Sequence, residues 1–167
     1  LPKETIEERF SLDKGSGFAN EFVGSFTKTV QGGGFLYSNI DSLSLGIIVQ
    51  AESLINNQQR AVDLLAKFKQ HSTIAPLIRG ATPIEYSAHL IPENGLAMSP
   101  KLYTDGMLVV GDAAGFVLAA GIILEGNNFA LASGMIAAEA VQMAKNEKDF
   151  SAKSLSRYTQ LLEKSFV

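Results

Sequence analysis

The sequence predicts an α+β fold, and three observations carry that expectation. Period-two patterning flanks a polar turn between Gly32 and Gln50, helical spacing of apolar residues follows from Asn56 to Gln70, and small residues recur at helical spacing near the end of the chain. The order is antiparallel strands with one inserted helix, then a strand, a glycine turn and a long helix. With 167 residues, 46% hydrophobic and 19% charged, the chain is rich enough in apolar residues to bury a core.

The first thirty residues carry the weakest pattern. Lys14-Gly15-Ser16-Gly17 marks a turn, and a strand is expected from Phe18 to Phe26. In "GGGFLYSNIDSLSLGIIVQ", Phe35, Tyr37 and Asn39 share one face. Past the turn at Asn39–Ser42, Leu43, Leu45, Ile47 and Val49 alternate with Ser42, Ser44, Gly46 and Ile48, which is a β-hairpin signature. From 56 to 70 the period changes: Ala61, Leu64, Leu65 and Phe68 form one stripe of an amphipathic helix that covers the sheet. "HSTIAPLIRG" predicts a single helical turn ended by Gly80. "PIEYSAHLI" alternates again, with Ile84, Tyr86, Ala88 and Leu90 on one face, and "PENG" closes it as a turn.

"MLVVGDAAGF", residues 107 to 116, predicts a buried strand and a glycine turn. A helix from about Asn127 to Lys145 follows, with Ala130, Ser133, Gly134, Ala137 and Ala138 as a small-residue stripe for close packing against a sheet. A last helix, near Ser151–Lys164, carries Leu155, Tyr158 and Leu162 on one side.

Composition narrows the functional classes. A net charge of −3 with no basic cluster argues against a nucleic-acid partner. The absence of cysteine removes disulfides, thiolate metal sites and cysteine nucleophiles. His71 and His89 lack the companions a zinc site needs; His71 is expected at a helix end and His89 on the surface. No Gly-x-Ser-x-Gly elbow occurs, and no catalytic acid or base stands out. Met107–Leu124 approaches the length of a membrane span, but Asp112, Gly111, Gly115 and Gly121 interrupt it. "LPKETIEERF" has neither an initiator Met nor a signal pattern and reads as the interior of a longer protein.

Asp112 is the most informative residue. Small neighbours let a ligand approach the main chain, and the amides of a turn or helix N-terminus favour an anion. A carboxylate at neutral pH only accepts hydrogen bonds, which suits the hydroxyls of a polyol. A flavin dinucleotide combines a polyol chain with an anionic group. The alternative is structural: Asp112 caps a turn and the small residues merely permit tight packing. Gly33, Gly34 and Phe35 have two readings of the same kind. They bring a quinone or lipid ring against the backbone, or Gly32–Gly34 form a flexible turn.

"DGMLVVGDAAGF" with the later "ALASGMIAAEAV" resembles the second FAD-binding motif of the geranylgeranyl reductase and electron-transfer flavoprotein:quinone oxidoreductase superfamily. "GGGFLYSNIDSLSLGIIV" resembles its substrate-domain hairpin, and "FKQHSTIAPLIRGATPIEYSAHLIPENG" resembles the stretch leading back to its FAD domain. The FixC-type flavoproteins are the most similar branch. The resemblance implies part of an α/β FAD-binding fold. Residues 1–95 would belong to a substrate (quinone-side) domain built on an antiparallel sheet with helix 56–70. Residues 96–167 would supply the closing strand and helices of a Rossmann-like FAD domain.

It also implies FAD as cofactor, with Asp112 accepting from the ribityl chain between Gly111 and Ala113. Ala114 and Gly115 would lie near the pyrophosphate or ribityl, and Gly126, Asn127 and Asn128 would present a helix start to the flavin's pyrimidine edge. Glu125 departs from the basic residue common at this place in FixC-type members and matches the Gly-Glu-Gly form of the reductases. The superfamily's first motif, Gly-x-Gly-x-x-Gly, is absent, and "QGGGF" lacks its spacing. The cofactor site in this chain is therefore expected to be incomplete, and the chain alone to hold FAD poorly and be inactive.

Implied partners are an electron-transfer flavoprotein, a quinone and a ferredoxin-like protein. The implied location is the cytoplasm, with peripheral contact at the inner membrane left open. Two alternatives stand beside this: an isoprenoid double-bond reductase of the same superfamily, and a non-catalytic remnant acting as a binding module.

Overall fold

The computed structural model describes residues 1–93, 98–120 and 123–167. The α+β class is observed, with three small sheets and seven helices among the described residues. The chain divides into two compact units, Leu1–Tyr86 and Ser87–Val167.

The first unit opens with helix α1 (Lys3–Arg9), which buries Ile6. Arg9 Nη1 donates to the carbonyls of Leu77 (3.1 Å) and Arg79 (2.6 Å), satisfying acceptors that the end of a short helix leaves open. Strands β1 (Ala19–Phe22), β2 (Gly32–Ser38) and β3 (Leu43–Val49) form an antiparallel sheet in that order. The expected hairpin is β2–β3, in register Gly34↔Ile47, Phe35↔Gly46 and Leu36↔Leu45. Asn39 closes its turn, donating from its amide to Ser42 O (2.8 Å) and from Nδ2 to Ser44 Oγ (3.0 Å).

Helices α2 (Ala51–Asn56), α3 (Ala61–Gln70) and α4 (Ala75–Ile78) follow. The expected helix over 56–70 begins at Ala61 because Gln58 adopts φ 51° and Arg60 is extended before the first turn. α3 buries Leu64 and Phe68 as its stripe predicts. The Phe68 ring lies 4.7 Å from that of Phe26 and 5.6 Å from that of Phe22, centroid to centroid. The strand expected to run from Phe18 to Phe26 stops at Phe22, and Ser25–Thr27 form a 3₁₀ turn that delivers Phe26 to the core.

The segment 81–91 corrects an expectation. Its alternation is present, yet it forms no strand: Ile84, Tyr86 and Leu90 are 85%, 68% and 87% exposed. Alternation produces a strand only where a neighbour completes the ladder and a layer covers one face, and no described strand pairs with this segment. Of the "PENG" turn, Asn94 and Gly95 lie outside the described residues, as does the expected division at 95/96.

In the second unit, β4 (Tyr103–Thr104) and β5 (Met107–Leu108) make a short antiparallel ribbon. The buried strand expected in "MLVV" is thus confined to two paired residues, and Met107 is 53% exposed. Strands β6 (Leu118–Ala120) and β7 (Ile123–Glu125) pair antiparallel, and helix α5 (Asn127–Glu147) follows. Gly121, one of the expected interruptions of the apolar stretch, lies outside the described residues. Among the described residues no helix is long and apolar enough to cross a membrane.

α5 buries Ser133, Ala137, Ala140 and Ala144. The expected terminal helix is present as α6 (Ala152–Leu155) and α7 (Arg157–Leu162), with Leu155, Tyr158 and Leu162 buried on the predicted side. Tyr158 and Leu162 pack with Ala137 and Ala140, so the small stripe of α5 receives α7 here. Asp105, in the β4–β5 turn, accepts the Ala152 amide at 2.6 Å and ties that ribbon to the start of α6.

The role of Gly34 is measurable. A Cβ at Gly34 would stand 2.6 Å from Phe68 Cζ, inside the ring's van der Waals boundary. Gly34→Ala is expected to cost about 1–3 kcal/mol through forced displacement of the ring. Urea unfolding should show the midpoint falling, whereas an unchanged midpoint would mean that the ring moves freely.

Candidate functional site

Residues Gly111–Ala114 form a 3₁₀ turn directly after the β4–β5 ribbon. Gly111 (φ 62°) and Gly115 (φ 80°) bracket it in left-handed conformations, which is why glycine stands at both ends of "GDAAG". The backbone is closed internally. The Gly115 amide donates to Asp112 O (2.8 Å), and the Phe116 amide donates to Gly111 O (3.1 Å). Ala114 is fully buried and anchors the turn, while Asp112 and Ala113 are exposed. The Asp112 carboxylate makes no hydrogen bond among the described residues, so it does not act as a side-chain cap here.

The turn packs on the first turns of α5. A Cβ at Gly111 would meet Ala130 Cβ at 3.4 Å, so the two backbones approach through small residues on both sides. The Gly111 amide donates to Ser133 Oγ at 3.0 Å in a buried setting. Gly126 precedes α5, and Asn127 and Asn128 lie exposed in its first turn. Glu125 accepts from Asn128 Nδ2 at 3.4 Å, which places a carboxylate by the helix start, where the dipole favours negative charge. The structure thus gathers Gly111, Asp112, Ala113, Ala114, Gly115, Gly126, Asn127 and Asn128 into one unit, around the N-terminal end of α5.

Gly33, Gly34 and Phe35 belong to the other unit. They lie in the middle of β2, not in a flexible turn, because all three pair with β3 residues. The space beside Gly34 holds the Phe68 ring, and the space beside Gly46 holds the ring of Phe35. Phe35 stacks on Tyr37 at 4.9 Å between centroids on the face away from α3. Burial and the nearby Glu21 push the Tyr37 phenol up from its ordinary value. His71 follows α3 and accepts the Thr73 amide on Nδ1, and His89 is exposed.

Two residues behind the Asp112 turn went unassigned from sequence. Ser133 read as one member of a small-residue stripe, and Tyr158 as one member of an apolar one. The signal was a hydroxyl in each stripe where alanine or leucine would pack as well. Tyr158 is fully buried, and its hydroxyl has no hydrogen-bond partner among the described residues. Burial pushes its phenol up from the ordinary value.

A raised phenol contributes stability that is intact below the unfolded value of about 10 and lost as pH rises through the folded value. Tyr158→Phe should therefore leave the melting temperature nearly unchanged at pH 7 and reduce its fall between pH 9 and 11, the remaining loss including Tyr37. Identical alkaline profiles for the two proteins would contradict this assignment.

Sequence comparison bears on the same residues. No family model matches the chain. A probable electron transfer flavoprotein-quinone oxidoreductase, YdiS of Escherichia coli (strain K12), is 46% identical over 167 residues, all of this chain and 39% of its own length. Protein FixC of the same organism is 44% identical over 163 residues, 98% of this chain and 38% of its own. Protein FixC of Azorhizobium caulinodans is 44% identical over 168 residues, again 38% of its length. The chain thus spans about two-fifths of the length of these curated relatives. Identity at this level from the first residue to the last leaves one conclusion: this chain is a relative of the FixC-type proteins throughout its length.

Proposed function

We propose that this chain is part of a FAD-dependent oxidoreductase of electron transfer, in which residues 96–167 contribute to the FAD-binding domain and residues 1–95 to the substrate side. The observation that carries the reading is Asp112: an exposed carboxylate with no protein partner among the described residues, on a turn whose backbone is fixed. Such a group accepts hydrogen bonds without rearranging, and a ribityl hydroxyl is the complementary donor. Ala113 and Gly115 leave the approach unobstructed, and the start of α5 offers unpaired amides and a positive partial charge. When bound, the flavin supplies the electron-accepting ring. This chain's residues supply binding, orientation and local charge.

The names of the relatives favour an electron-transfer flavoprotein as donor and a quinone as acceptor. A ferredoxin-like acceptor is a further proposal from the resemblance, as is a cytoplasmic place with peripheral contact at the inner membrane. The isoprenoid-reductase alternative rests on Glu125-Gly126. Rapid-mixing measurements of flavin reduction by an electron-transfer flavoprotein, and of reoxidation by a quinone, separate the two. Failure of both steps, with turnover on a prenyl double bond, would favour the reductase. A full-length protein that binds no flavin would favour the remnant.

In the full-length protein, Asp112→Ala should weaken FAD binding about tenfold or more, the worth of a charge-assisted hydrogen bond or two. Asp112→Asn, which keeps an acceptor oxygen, should lose less. Flavin fluorescence on titration measures both, and equal affinity in all three proteins would remove the ribityl role. Glu125→Gln removes a negative charge beside the α5 N-terminus and should raise the flavin midpoint potential in spectroelectrochemical titration. A potential that stays fixed would place Glu125 outside the flavin's field.

A further inference from the structure

One buried hydroxyl meets the Asp112 turn from behind. Ser133, in the second turn of α5, is fully enclosed. Its single proton goes to Ala130 O at 3.1 Å, and one of its lone pairs takes the Gly111 amide at 3.0 Å. The direction of both bonds is fixed by chemistry, since an amide N–H only donates and a carbonyl only accepts. Gly111 is thereby held at both of its peptide groups, its N–H by Ser133 and its carbonyl by the Phe116 amide. Asp112, the next residue, is left with its carboxylate unengaged among the described residues and exposed.

The identity of residue 133 is itself informative. The other buried positions on this helix, Ala137, Ala140 and Ala144, are alanines. Alanine is the better helix former, and a serine that back-bonds to its own helix gains nothing in packing. Burying a hydroxyl also costs free energy unless its bonds are made. The Gly111 amide is what an alanine at position 133 would leave unpaired.

We propose that Ser133 is a positioning residue for the cofactor site: its hydroxyl fixes the Gly111 amide and so sets the direction in which Asp112 offers its carboxylate to a polyol hydroxyl. This rests on the ribityl reading of Asp112, and the test keeps the two apart. The full-length protein is compared with Ser133→Ala, Asp112→Ala, the double variant, and Leu162→Ala, which loosens the same core without touching the turn. FAD dissociation constants, melting temperatures and amide hydrogen exchange over residues 111–116 are measured for each.

Ser133→Ala should weaken FAD about tenfold, as expected for one hydrogen bond, and speed exchange of the Gly111 amide. In the Asp112→Ala background it should cost no further affinity, because its effect passes through that carboxylate. Leu162→Ala should lower the melting temperature while leaving the dissociation constant unchanged. If Ser133→Ala does not fold, Ser133→Cys, slightly larger than serine and a weaker acceptor, should show a smaller loss in the same direction. Asp112→Ala with unaltered FAD affinity overturns the ribityl reading and this proposal with it. Asp112→Ala weakened, with Ser133→Ala unchanged or the two losses multiplying, overturns the positioning role alone.

Discussion

The close approach of α5 to the Gly111–Ala114 turn is the constraint on which the candidate site depends. A helix backbone reaches a turn this closely only when both sides are small. Here Ala130 faces Gly111 across 3.4 Å measured to where a side chain would begin. Once the two are that near, water is excluded and the Gly111 amide needs a protein acceptor, which Ser133 supplies at 3.0 Å. The positive φ of Gly111, the fully buried Ala114 and the exposed Asp112 all follow from a turn held on one side only.

The hairpin unit solves a different problem with similar means. Phe68 reaches the centre of its core because Gly34 has no side chain, and Phe22 and Phe26 then surround the ring. On the opposite face Phe35 lies over Gly46 and stacks on Tyr37. Glycine in a strand is normally a weakness, but at these two positions it admits an aromatic ring whose burial outweighs the lost propensity. The reading of Gly32–Gly34 as a flexible turn failed for that reason. All three are paired on β3, and rings come close at Gly34 and Gly46.

Expectations held where the pattern was long and local, and failed where a partner was required. The β2–β3 hairpin, the Leu64 and Phe68 stripe, the long α5 and the Leu155, Tyr158 and Leu162 face were all legible. Each is written in residue spacing along a short continuous stretch of chain. The strand expected over 84–90 is absent, and "MLVV" pairs at only two residues. Whether alternation becomes a strand depends on a ladder that lies elsewhere in the chain. The late start of α3 has a local cause: the left-handed Gln58 leaves no trace in apolar spacing.

The sequence by itself determined the β2–β3 hairpin, the helices with the residues they bury, and the kinship with FixC-type proteins. It also singled out Asp112, because a lone carboxylate among glycines and alanines is visible as a string. Only the tertiary structure decided that Asp112 is exposed without a protein partner among the described residues while the adjoining amide is buried on Ser133, 22 positions away. Hydrogen-bond satisfaction of a buried amide is a three-dimensional requirement, and nothing in the local spacing of "GDAAG" or "ALASGM" names the other as its partner.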